Sequence, residues 1–420
     1  MTAGTTAGTI PGTTAGTTTA HPLLAAAGAI LPDVIEVRRR LHRRPEIGLH
    51  LPATQAVIAD ALRALGLEPR LGGSTTSVTA VIEGARPGPT ILLRADMDGL
   101  PLHEDTGLDF ASEVAGAMHA CGHDTHVSML LGAARLLVER RDALAGRVLL
   151  MFQPGEEGYH GARFMLEEGL LEEGAHGAGD VARAVAIHIS TRYPSSTIAL
   201  RPGPLLASTD AIRATVRGRG GHASAPHLAL DPIPTAAELV LALQAAVSRS
   251  VDAFDPVVLT IARISGGTTN NIIPESVEIE GTIRTTSPEN RALMRDLVRR
   301  VAAGVAAAHG TAVHLEVVEG YPVTLCDPDV TARVRALAVE LAGEAAVLDM
   351  DHPIMGGEDF SYVTERVPGM MAFLGARPAT EDPATAPQNH SNRVVFDESS
   401  MALGVALYAA AAIDLLGGDA

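Results

Sequence analysis

Side chains that bind metal ions follow apolar, strand-like runs at four places that are far apart in this sequence. They are Cys121 with His123, Glu156 with Glu157, His188, and His390. A single catalytic zinc ion needs only three protein ligands and one open coordination position. Five candidate ligands therefore suggest two ions that share one site, and these are Cys121, His123, Glu157, His188 and His390. Glu156 is then free to act as a base, which is typical of a metal-dependent hydrolase.

The adjacent carboxylates lie in the segment Phe152-Gln-Pro-Gly-Glu-Glu-Gly158, directly after an apolar run. Successive side chains of an extended segment point in opposite directions, so Glu157 can bind a metal ion while Glu156 faces a water molecule. Because a metal ion lowers the pKa of water, a nearby carboxylate can take the proton and deliver it to a leaving amine. The alternative is a solvated pair of surface acids.

Three histidines and one cysteine are concentrated in Met118-His-Ala-Cys-Gly-His-Asp-Thr-His126, at the start of a predicted helix. Thiolate and imidazole ligands together suit zinc-like metals, and Cys121 and His123 are close enough in sequence to meet adjacent ions. His119 and His126 are weaker ligand candidates, and one of them is expected only to support a ligand. A polar loop with a helix-capping aspartate and a core cysteine is the alternative.

Three further candidates are isolated in the sequence. His188 ends the run Ala-Val-Ala-Ile-His, and His390 lies in Gln-Asn-His-Ser-Asn. A lone histidine is more often a satisfied core residue, so only the whole set makes these two residues candidates. Asp96 follows a predicted strand, where its carboxylate can hydrogen-bond a ligating imidazole and fix the tautomer. A turn-forming aspartate is the alternative explanation of Asp96.

Composition excludes several classes of protein. The chain has 420 residues, 46% of them hydrophobic and 19% charged, which is typical of a globular protein with about two domains. The net charge of −17 comes with no basic stripe, which argues against nucleic acid and anionic membranes as partners. No apolar run approaches the roughly 20 residues that span a bilayer. The 2 cysteines, Cys121 and Cys326, exclude a disulfide framework and favour a cytoplasmic location.

Helix-like and strand-like segments alternate in the first half of the chain. This predicts an α/β fold with a mainly parallel sheet and helices on both faces. Buried strands are predicted at 90–93, 148–152 and 184–187, and a helix at 124–141. Beyond residue 320, a loop-rich region that carries His390 is predicted between helices at 328–344 and 398–416. In such a sheet ligands gather beyond the carboxyl ends of the strands, where residues 156, 157 and 188 are expected to lie.

The chain is predicted to have three parts. Residues 1–20 repeat Thr, Ala and Gly without a charged residue, which predicts a disordered tail. Between 209 and 319 the predicted order is strand, helix, two strands, helix and strand, which is the ferredoxin-like α+β unit. The sequence therefore predicts a catalytic metal-binding domain in two pieces, 21–208 and 320–420, with an inserted domain at 209–319.

Six ordered motifs resemble those of the aminoacylase-like metalloamidohydrolases. That group includes hippurate hydrolases, N-acyl amino acid amidohydrolases and hydrolases of indole-acetyl amino acid conjugates. The motifs are Leu-His-Arg-Arg-Pro-Glu-Ile-Gly (41–48), Arg-Ala-Asp-Met-Asp (94–98), His-Ala-Cys-Gly-His-Asp (119–124), Gln-Pro-Gly-Glu-Glu-Gly (153–158), Gly-Gly-His-Ala-Ser-Ala-Pro-His (220–227) and Met-Gly-Gly-Glu-Asp-Phe (355–360). One departure is the Ser-Asn that follows His390, where the family more often has Ser-Pro.

The resemblance implies a dinuclear site in which the five candidates above bind two divalent metal ions per subunit. Zinc, manganese, cobalt and nickel are all open as the identity of the ions. It also implies that Glu156 is the general base, and that the inserted domain acts as a lid and mediates assembly into a homodimer or higher homo-oligomer. His222 would by similarity reach the reacting carbonyl, across a dimer interface in one arrangement, and stabilise the oxyanion. A loop histidine on the lid surface is the alternative.

Substrates of this group usually carry a free carboxylate, which calls for a cation. Arg284, at the end of a predicted lid strand, can supply a bidentate contact, and Asn271 can donate a hydrogen bond beside it. The alternatives are a solvated charge at the end of a strand for Arg284 and a turn residue before Pro274 for Asn271.

The leading hypothesis is a metal-dependent amidohydrolase that cleaves N-acyl amino acids or related conjugates to a carboxylic acid and a free amino acid. Its alternative is a dinuclear dipeptidase or aminopeptidase on the same fold. Such a peptidase would need an acidic residue for the free α-amino group, and none is evident beyond the metal-binding set. A non-catalytic metal-binding protein is the remaining class, but such proteins usually lose a ligand or the base, and all six positions are filled here.

Overall fold

The structure is a computed structural model that describes residues 21–172 and 180–417, so the tail predicted at 1–20 lies outside the described residues. The described part contains nine α-helices: α1 Pro22–His42, α2 Pro52–Ala64, α3 His123–Val138, α4 Gly161–Glu167, α5 Pro232–Ser250, α6 Pro288–His309, α7 Pro328–Ala342, α8 Ser361–Thr364 and α9 Met401–Leu415. Its strands are β1 Arg70–Leu71, β2 Val78–Glu83, β3 Arg86–Asp96, β4 Ala145–Gln153, β5 Val181–Pro194, β6 Ile198–Leu200, β7 Gly203–Leu206, β8 Asp210–Arg217, β9 Gly221–His222, β10 Val257–Gly266, β11 Ile272–Ile273, β12 Ser276–Thr285, β13 Ala312–Val318, β14 Thr324–Cys326, β15 Val347–Asp349 and β16 Gly369–Arg377.

Eight strands form one large sheet in the order β1-β2-β4-β3-β5-β16-β6-β15. The central strands β4, β3, β5 and β16 pair in parallel, while β1, β2 and β6 join through antiparallel pairings. The last seven residues of β3 and the first eight of β16 are all buried, so side chains on both faces of the sheet are covered. The predicted α/β fold is confirmed, with the difference that the sheet is mixed towards its edges.

Helices α1, α3 and α9 pack against one another, and α3 and α9 contact the central strands β3 and β5. The stretch Glu398–Leu415 is long and apolar enough to cross a membrane by composition, with a mean hydropathy of 1.2. However, 78% of this stretch is buried within the protein, which is typical of the core helix of a globular domain.

The segment between β7 and β14 forms a unit with its own sheet, which is called the inserted unit below. Its strand order is β10-β12-β8-β13, all pairings are antiparallel, and α5 and α6 pack on it. A separate apolar core, which includes Ile212, Leu239, Ile279 and Leu297, lies between the helices and the sheet. The element order β8-α5-β10-β12-α6-β13 confirms the predicted ferredoxin-like fold.

The region predicted to be loop-rich contains a central strand of the large sheet. β16 lies between β5 and β6, and Phe373 of β16 is opposite His188 of β5. The prediction of loops was therefore wrong for these nine residues. A short apolar run without alternation lacks the periodicity that would distinguish a buried strand from other buried structure.

Candidate metal centre

The candidate ligands lie where the central strands approach one edge of the sheet. β3 ends at Asp96, and the loop after β4 carries Glu156 and Glu157. His188 lies within β5, and His123 is the first residue of α3. The parallel pairing of these strands brings the corresponding positions to one edge, as the alternation of strands and helices indicated.

The five candidates form two overlapping groups of donor atoms. In the first donor group, Cys121, His123 and His188 have donor atoms within 4.8 Å of one another. In the second donor group, Cys121, Glu157 and His390 meet the same limit. Cys121 Sγ lies 3.4 Å from His188 Nε2, and His390 Nε2 lies 3.3 Å from Glu157 Oε1. The thiol belongs to both groups, which is the arrangement that a ligand shared by two adjacent ions requires.

Negative charge is in excess around these donors. Six carboxylates with little solvent exposure surround the site, and these are Asp96, Asp98, Glu156, Glu157, Glu358 and Asp359. The guanidinium of Arg94 pairs with three of them, at 2.7 Å from Asp96, 2.8 Å from Glu358 and 3.2 Å from Asp359. One guanidinium leaves much of this charge uncompensated, and a buried carboxylate without a partner is costly. Divalent cations are groups that would balance it.

The donor atoms themselves are suited to a metal ion. Both ring nitrogens of His123 and Oε1 of Glu157 are buried without a hydrogen-bond partner among the described residues. Burial opposes a charged ring, yet Asp96 and Asp98 raise the pKa of His123 to about 10. Burial, followed by the carboxylate of Glu157, raises the pKa of the Cys121 thiol well above its usual range. The site therefore attracts positive charge, and its thiol, imidazole and carboxylate donors fit a zinc-like divalent ion.

Two aspartates lie beside the histidines of α3. Asp96 Oδ1 lies 2.5 Å from His126 Nδ1, and Asp98 Oδ1 lies 3.4 Å from His123 Nδ1. His126 Nε2 also accepts the amide of Ile189 at 2.7 Å, so both ring nitrogens are used within the chain. His126 is thus a support of the β5 backbone and not a free donor. Asp98, for which the sequence predicted no role, is the carboxylate near Nδ1 of His123, while Asp96 lies 3.5 Å from the Nε2 atom of that ring.

The surroundings of His188 favour a neutral ring that is oriented for ligation. Its Nδ1 donates to the carbonyl of Ile189 at 2.7 Å, so Nε2 keeps a free lone pair on the side of Cys121. Burial, followed by His126, lowers the pKa of His188 well below its usual range, which favours the neutral ring. His119 is also buried, but it is absent from both donor groups, and its ring centroid lies 6.2 Å from that of His42.

Asn389 joins the loops that carry three of the candidate ligands, and sequence reasoning missed it. Its Nδ2 donates to the carbonyls of Cys121 and Ile189, both at 3.0 Å, and its Oδ1 accepts the amide of Thr191 at 3.3 Å. His390 follows directly, with a φ of 70° that few non-glycine residues adopt. The only signal in the sequence was the position of Asn389 next to a candidate ligand.

Gly122 permits the close approach of Cys121 and His123 to β5. Its φ is 91°, in the left-handed region that favours glycine. A Cβ atom at this position would lie 2.4 Å from Cγ2 of Ile189. A glycine is therefore required for the start of α3 to lie against the strand that carries His188.

The backbone of Glu156 is held so that its carboxylate faces the donors. Asp98 accepts the amides of Glu156 at 3.0 Å and Glu157 at 3.2 Å. Glu156 Oε2 lies 3.9 Å from His123 Nε2. Burial, followed by the carboxylates of Glu358 and Glu157, raises the pKa of Glu156 well above its usual range. These surroundings favour the protonated form of the carboxyl group.

The donor groups open into a cavity of about 560 Å³. Apolar side chains line part of it, including Leu206, Ile354 and Phe373. Arg192 is the one guanidinium among the described lining residues, and it forms no ion pair within the described chain. Glu319 also lines the cavity, although its carboxylate lies 2.9 Å from the guanidinium of Arg295. Neither Arg192 nor Glu319 stood out in the sequence, because each lies outside the recognisable motifs.

The other three predicted site residues lie away from this cavity. His222 and Asn271 line a second cleft of about 420 Å³ on the inserted unit, where β9 pairs with β11. Ser224 donates its amide to Nδ1 of His222 at 3.1 Å, so Nε2 carries the proton and can donate. Arg284 donates to the carbonyl of Ile283 at 3.4 Å and lines neither space. Within one chain, the structure does not bring these three residues to the donor groups.

Comparison with known proteins gives the family. A model described as peptidase family M20/M25/M40 matches residues 92–414 of the chain. The chain belongs to this family. The crystal structure of the YXEP protein of Bacillus subtilis, described as a dinuclear metal binding peptidase from the M20 family, is similar to this M20 chain with a TM-score of 0.79. The two are 32% identical, and the match covers 93% of this chain and 99% of that one.

Two curated relatives of this M20 chain are enzymes by name. Thermostable carboxypeptidase 2 of Saccharolobus solfataricus is 39% identical over 384 residues, which cover 90% of this chain and 94% of the relative. N-acetyl-L-cysteine deacetylase of Bacillus subtilis is 39% identical over 343 residues, which cover 82% and 80%. The resemblance seen in the sequence and the prediction of a hydrolase of amide bonds are confirmed by this membership.

Proposed function

We propose that this M20 chain is a two-metal amidohydrolase that cleaves N-acyl amino acids to a carboxylic acid and a free amino acid. The observation that carries the proposal is the overlap of the two donor groups at the cavity, with Glu156 beside them. The relatives agree in their chemistry, because deacetylation of an N-acetyl amino acid and carboxypeptidase action both break an amide bond to an amino acid.

Each donor group is proposed to hold one divalent ion. The proposed ligands are Cys121, His123 and His188 for one ion, and Cys121, Glu157 and His390 for the other. When bound, the ions lower the pKa of a water molecule and polarise the amide carbonyl. Glu156 accepts the proton of the attacking water and delivers it to the leaving amine nitrogen. Zinc, manganese, cobalt and nickel are all candidate ions, since donor sets of this kind bind each of them.

The substrate carboxylate needs a cation, and the chain offers two. Arg192 lines the cavity of the same chain and has no anionic partner among the described residues. Arg284, with Asn271, is the cation that a second chain would have to supply. A comparison of N-acyl amino acids with their C-terminal amides separates the two. The arginine that binds the carboxylate is the one whose alanine variant raises KM for the acid and leaves KM for the amide unchanged. Arg183→Ala, on the same strand as Arg192, is the control.

We infer that the inserted unit acts as a lid and assembles two copies of the chain into a homodimer. His222 Nε2 is a free donor on an exposed surface, which suits a residue that completes the oxyanion site of a partner. The edge strand β10 and helix α5 expose Ile264 and Leu241, 55% and 71% accessible, and both line one shallow cleft. An unpaired strand edge beside exposed apolar side chains is typical of a surface that pairs with a second copy.

One side chain of the cavity favours the peptidase alternative. Glu319 lines the cavity, and an acidic residue there could bind a free α-amino group. Its pairing with Arg295 opposes that role. Rates on an N-acetylated amino acid and on the matching unblocked dipeptide decide between the two functions, and preference for the dipeptide would replace the proposal.

The two buried thiols, Cys121 and Cys326, support the proposal of a reducing, cytoplasmic location.

The decisive experiment uses chelated enzyme reconstituted separately with each of the four metals and assayed on a panel of N-acyl amino acids. Glu156→Gln should retain two bound ions and lose turnover by roughly 10²–10⁴-fold, as expected for loss of a general base. Glu139→Gln, a change to an exposed glutamate that pairs with Arg135, is the matched control. Normal turnover in Glu156→Gln would remove this residue from the role of base.

A further inference from the structure

Two crossings connect the inserted unit to the paired strands β7 and β14, and they lie side by side. One lies between β7 and β8, and the other lies between β13 and β14. Thr209 donates its amide to the carbonyl of Tyr321 at 3.0 Å, and Tyr321 donates its amide to Oγ1 of Thr209 at 2.8 Å. A Cβ atom on Gly320 would lie 1.8 Å from the carbonyl oxygen of Thr209, so only glycine fits there. The two crossings therefore form one closely packed connection, which is called the hinge below.

The phenol of Tyr321 extends from this hinge to the loop that carries Glu156. Its Oη donates to the carbonyl of Glu156 at 2.5 Å and accepts the amide of Gly158 at 2.7 Å. Tyr321 is 6% exposed, and its ring packs edge-on against His160 with centroids 4.9 Å apart. Hydrogen bonds shielded from water in this way hold a loop more firmly than exposed ones.

The peptide of Glu156 is thus held from two sides. Asp98, two residues after the end of β3, accepts the amides of Glu156 and Glu157 and fixes the loop to the large sheet. Tyr321 fixes the carbonyl side of the same loop to the hinge. A rotation of the inserted unit about the hinge would move Tyr321, and the carbonyl of Glu156 would follow.

We propose that Tyr321 is a positioning residue that holds Glu156 in register with the donor groups and links that register to the hinge of the inserted unit. The inference rests on the proposed role of Glu156 as the base. Tyr321 acts through Glu156, because both hydrogen bonds of its hydroxyl go to the backbone of the loop. Removal of the hydroxyl should therefore affect the rate of the chemical step and not the binding of substrate or metal.

The first test is Tyr321→Phe, which keeps the packed ring and removes only the hydroxyl. Because misplacement of a catalytic group by about 1 Å can cost about a hundredfold, we expect kcat to fall by roughly tenfold to a hundredfold. KM and the number of bound ions should stay unchanged. Tyr193→Phe is the matched control, since Tyr193 lies in β5, its ring packs against Phe373, and its hydroxyl forms no hydrogen bond among the described residues. A normal kcat in Tyr321→Phe, or an equal fall in both variants, would overturn the inference.

A second measurement does not depend on activity. Hydrogen exchange of a peptide that covers residues 153–160 should accelerate in Tyr321→Phe and stay unchanged in Tyr193→Phe, because the Gly158 amide loses its bond to the phenol and keeps only its bond to the carbonyl of Glu156 at 2.7 Å. Unchanged exchange in Tyr321→Phe would show that the hydroxyl does not hold the loop.

A double-mutant cycle separates this inference from the proposed function. If Tyr321 acts through Glu156, adding Tyr321→Phe to Glu156→Gln should cause no further loss of kcat. Additive losses would overturn the inference and leave Glu156 as the base. A normal kcat in Glu156→Gln alone would instead overturn the proposed role of Glu156.

Discussion

Replacement of Asn389 by alanine tests whether one side chain keeps the two donor groups together. Three hydrogen bonds are lost, two to the carbonyls of Cys121 and Ile189 at 3.0 Å and one from a β5 amide at 3.3 Å. The neighbouring His390 has a φ of 70°, and such a conformation costs a non-glycine residue roughly 1–3 kcal/mol. Without the Asn389 side chain, the amide bond of His390 to the carbonyl of Ala120 at 2.9 Å still holds this backbone, but His390 can relax away from Glu157.

The size of the effect follows from these contacts. Each hydrogen bond contributes about 0.5–1.5 kcal/mol, so three contribute about 1.5–4.5 kcal/mol to holding the loop. Hydrogen-bond partners behind metal ligands typically change metal affinity by about 10–100-fold. We expect this loss in the second donor group, because His390 belongs to that group alone. The first group should keep its affinity, because the His188 ring is fixed by the carbonyl of Ile189.

The assay is titration of metal-free protein with Co²⁺, followed by thiolate-to-metal absorption and by calorimetry. The unmodified protein should bind two equivalents tightly, whereas Asn389→Ala should bind one tightly and the second about 10–100-fold more weakly. Asn392→Ala, in the same loop, is the control and should behave as the unmodified protein. Two tight equivalents in Asn389→Ala, or equal weakening of both, would refute the reasoning.

Two further predictions concern the hinge and the start of α3. Burial opposes the charge of Asp210, but Arg291 and Arg295 lower its pKa below the usual range, so its stabilising effect is present at neutral pH and is lost as the pH falls below about 4. Asp210→Asn should therefore lower the melting temperature at neutral pH and flatten its decline in acid. Calorimetry across pH measures both, and an unchanged decline would contradict the prediction. Gly122→Ala should lower both the melting temperature and the metal content, because the added Cβ would lie 2.4 Å from Cγ2 of Ile189. Gly116→Ala is the control, because Gly116 has a φ of 77° but no atom within reach of an added Cβ. This control should cost only backbone strain of roughly 1 kcal/mol and keep its metal.

The parts of the fold that could be predicted from the sequence are those with a local pattern. The inserted unit alternates strand and helix periods with clear ends, and its predicted order of elements is the observed one. By contrast, the start of α1 has no clear local signal. The helix begins at Pro22, and its buried face continues through Pro32, a residue type that usually ends or kinks a helix. The buried residues before and after this proline are Leu23, Ala27, Ile30 and Val34. Strand β16 was missed because its apolar run has no alternation that would identify a strand. Both elements are fixed by packing on distant segments, which no local pattern contains.

The candidate ligands could be found because their side-chain types are rare and concentrated in motifs. The residues that hold them could not, because asparagine, aspartate and tyrosine are common and gain their roles only when loops meet. Asn389 and Cys121 are 268 residues apart in sequence, and Tyr321 and Glu156 are 165 apart. Asp98 was within reach, since it lies in the same motif as Asp96 and next to the same strand end.

The excess of buried carboxylate at the site links metal binding to the stability of the whole chain. Ions that bind only the folded protein stabilise it by about 2.7 kcal/mol at a concentration one hundred times the dissociation constant. The proposed ligands come from the start of α3 and the residues just before it, from β5, from the loop after β4 and from the loop after β16. The bound ions would therefore join segments that Asn389 also joins. The bound ions and the hydrogen bonds of Asn389 would therefore hold the same segments together, and each would partly compensate for loss of the other. The loss of stability caused by Asn389→Ala should therefore be larger in metal-free protein than in metal-loaded protein, and equal losses would mean that the asparagine and the ions act on different parts of the fold.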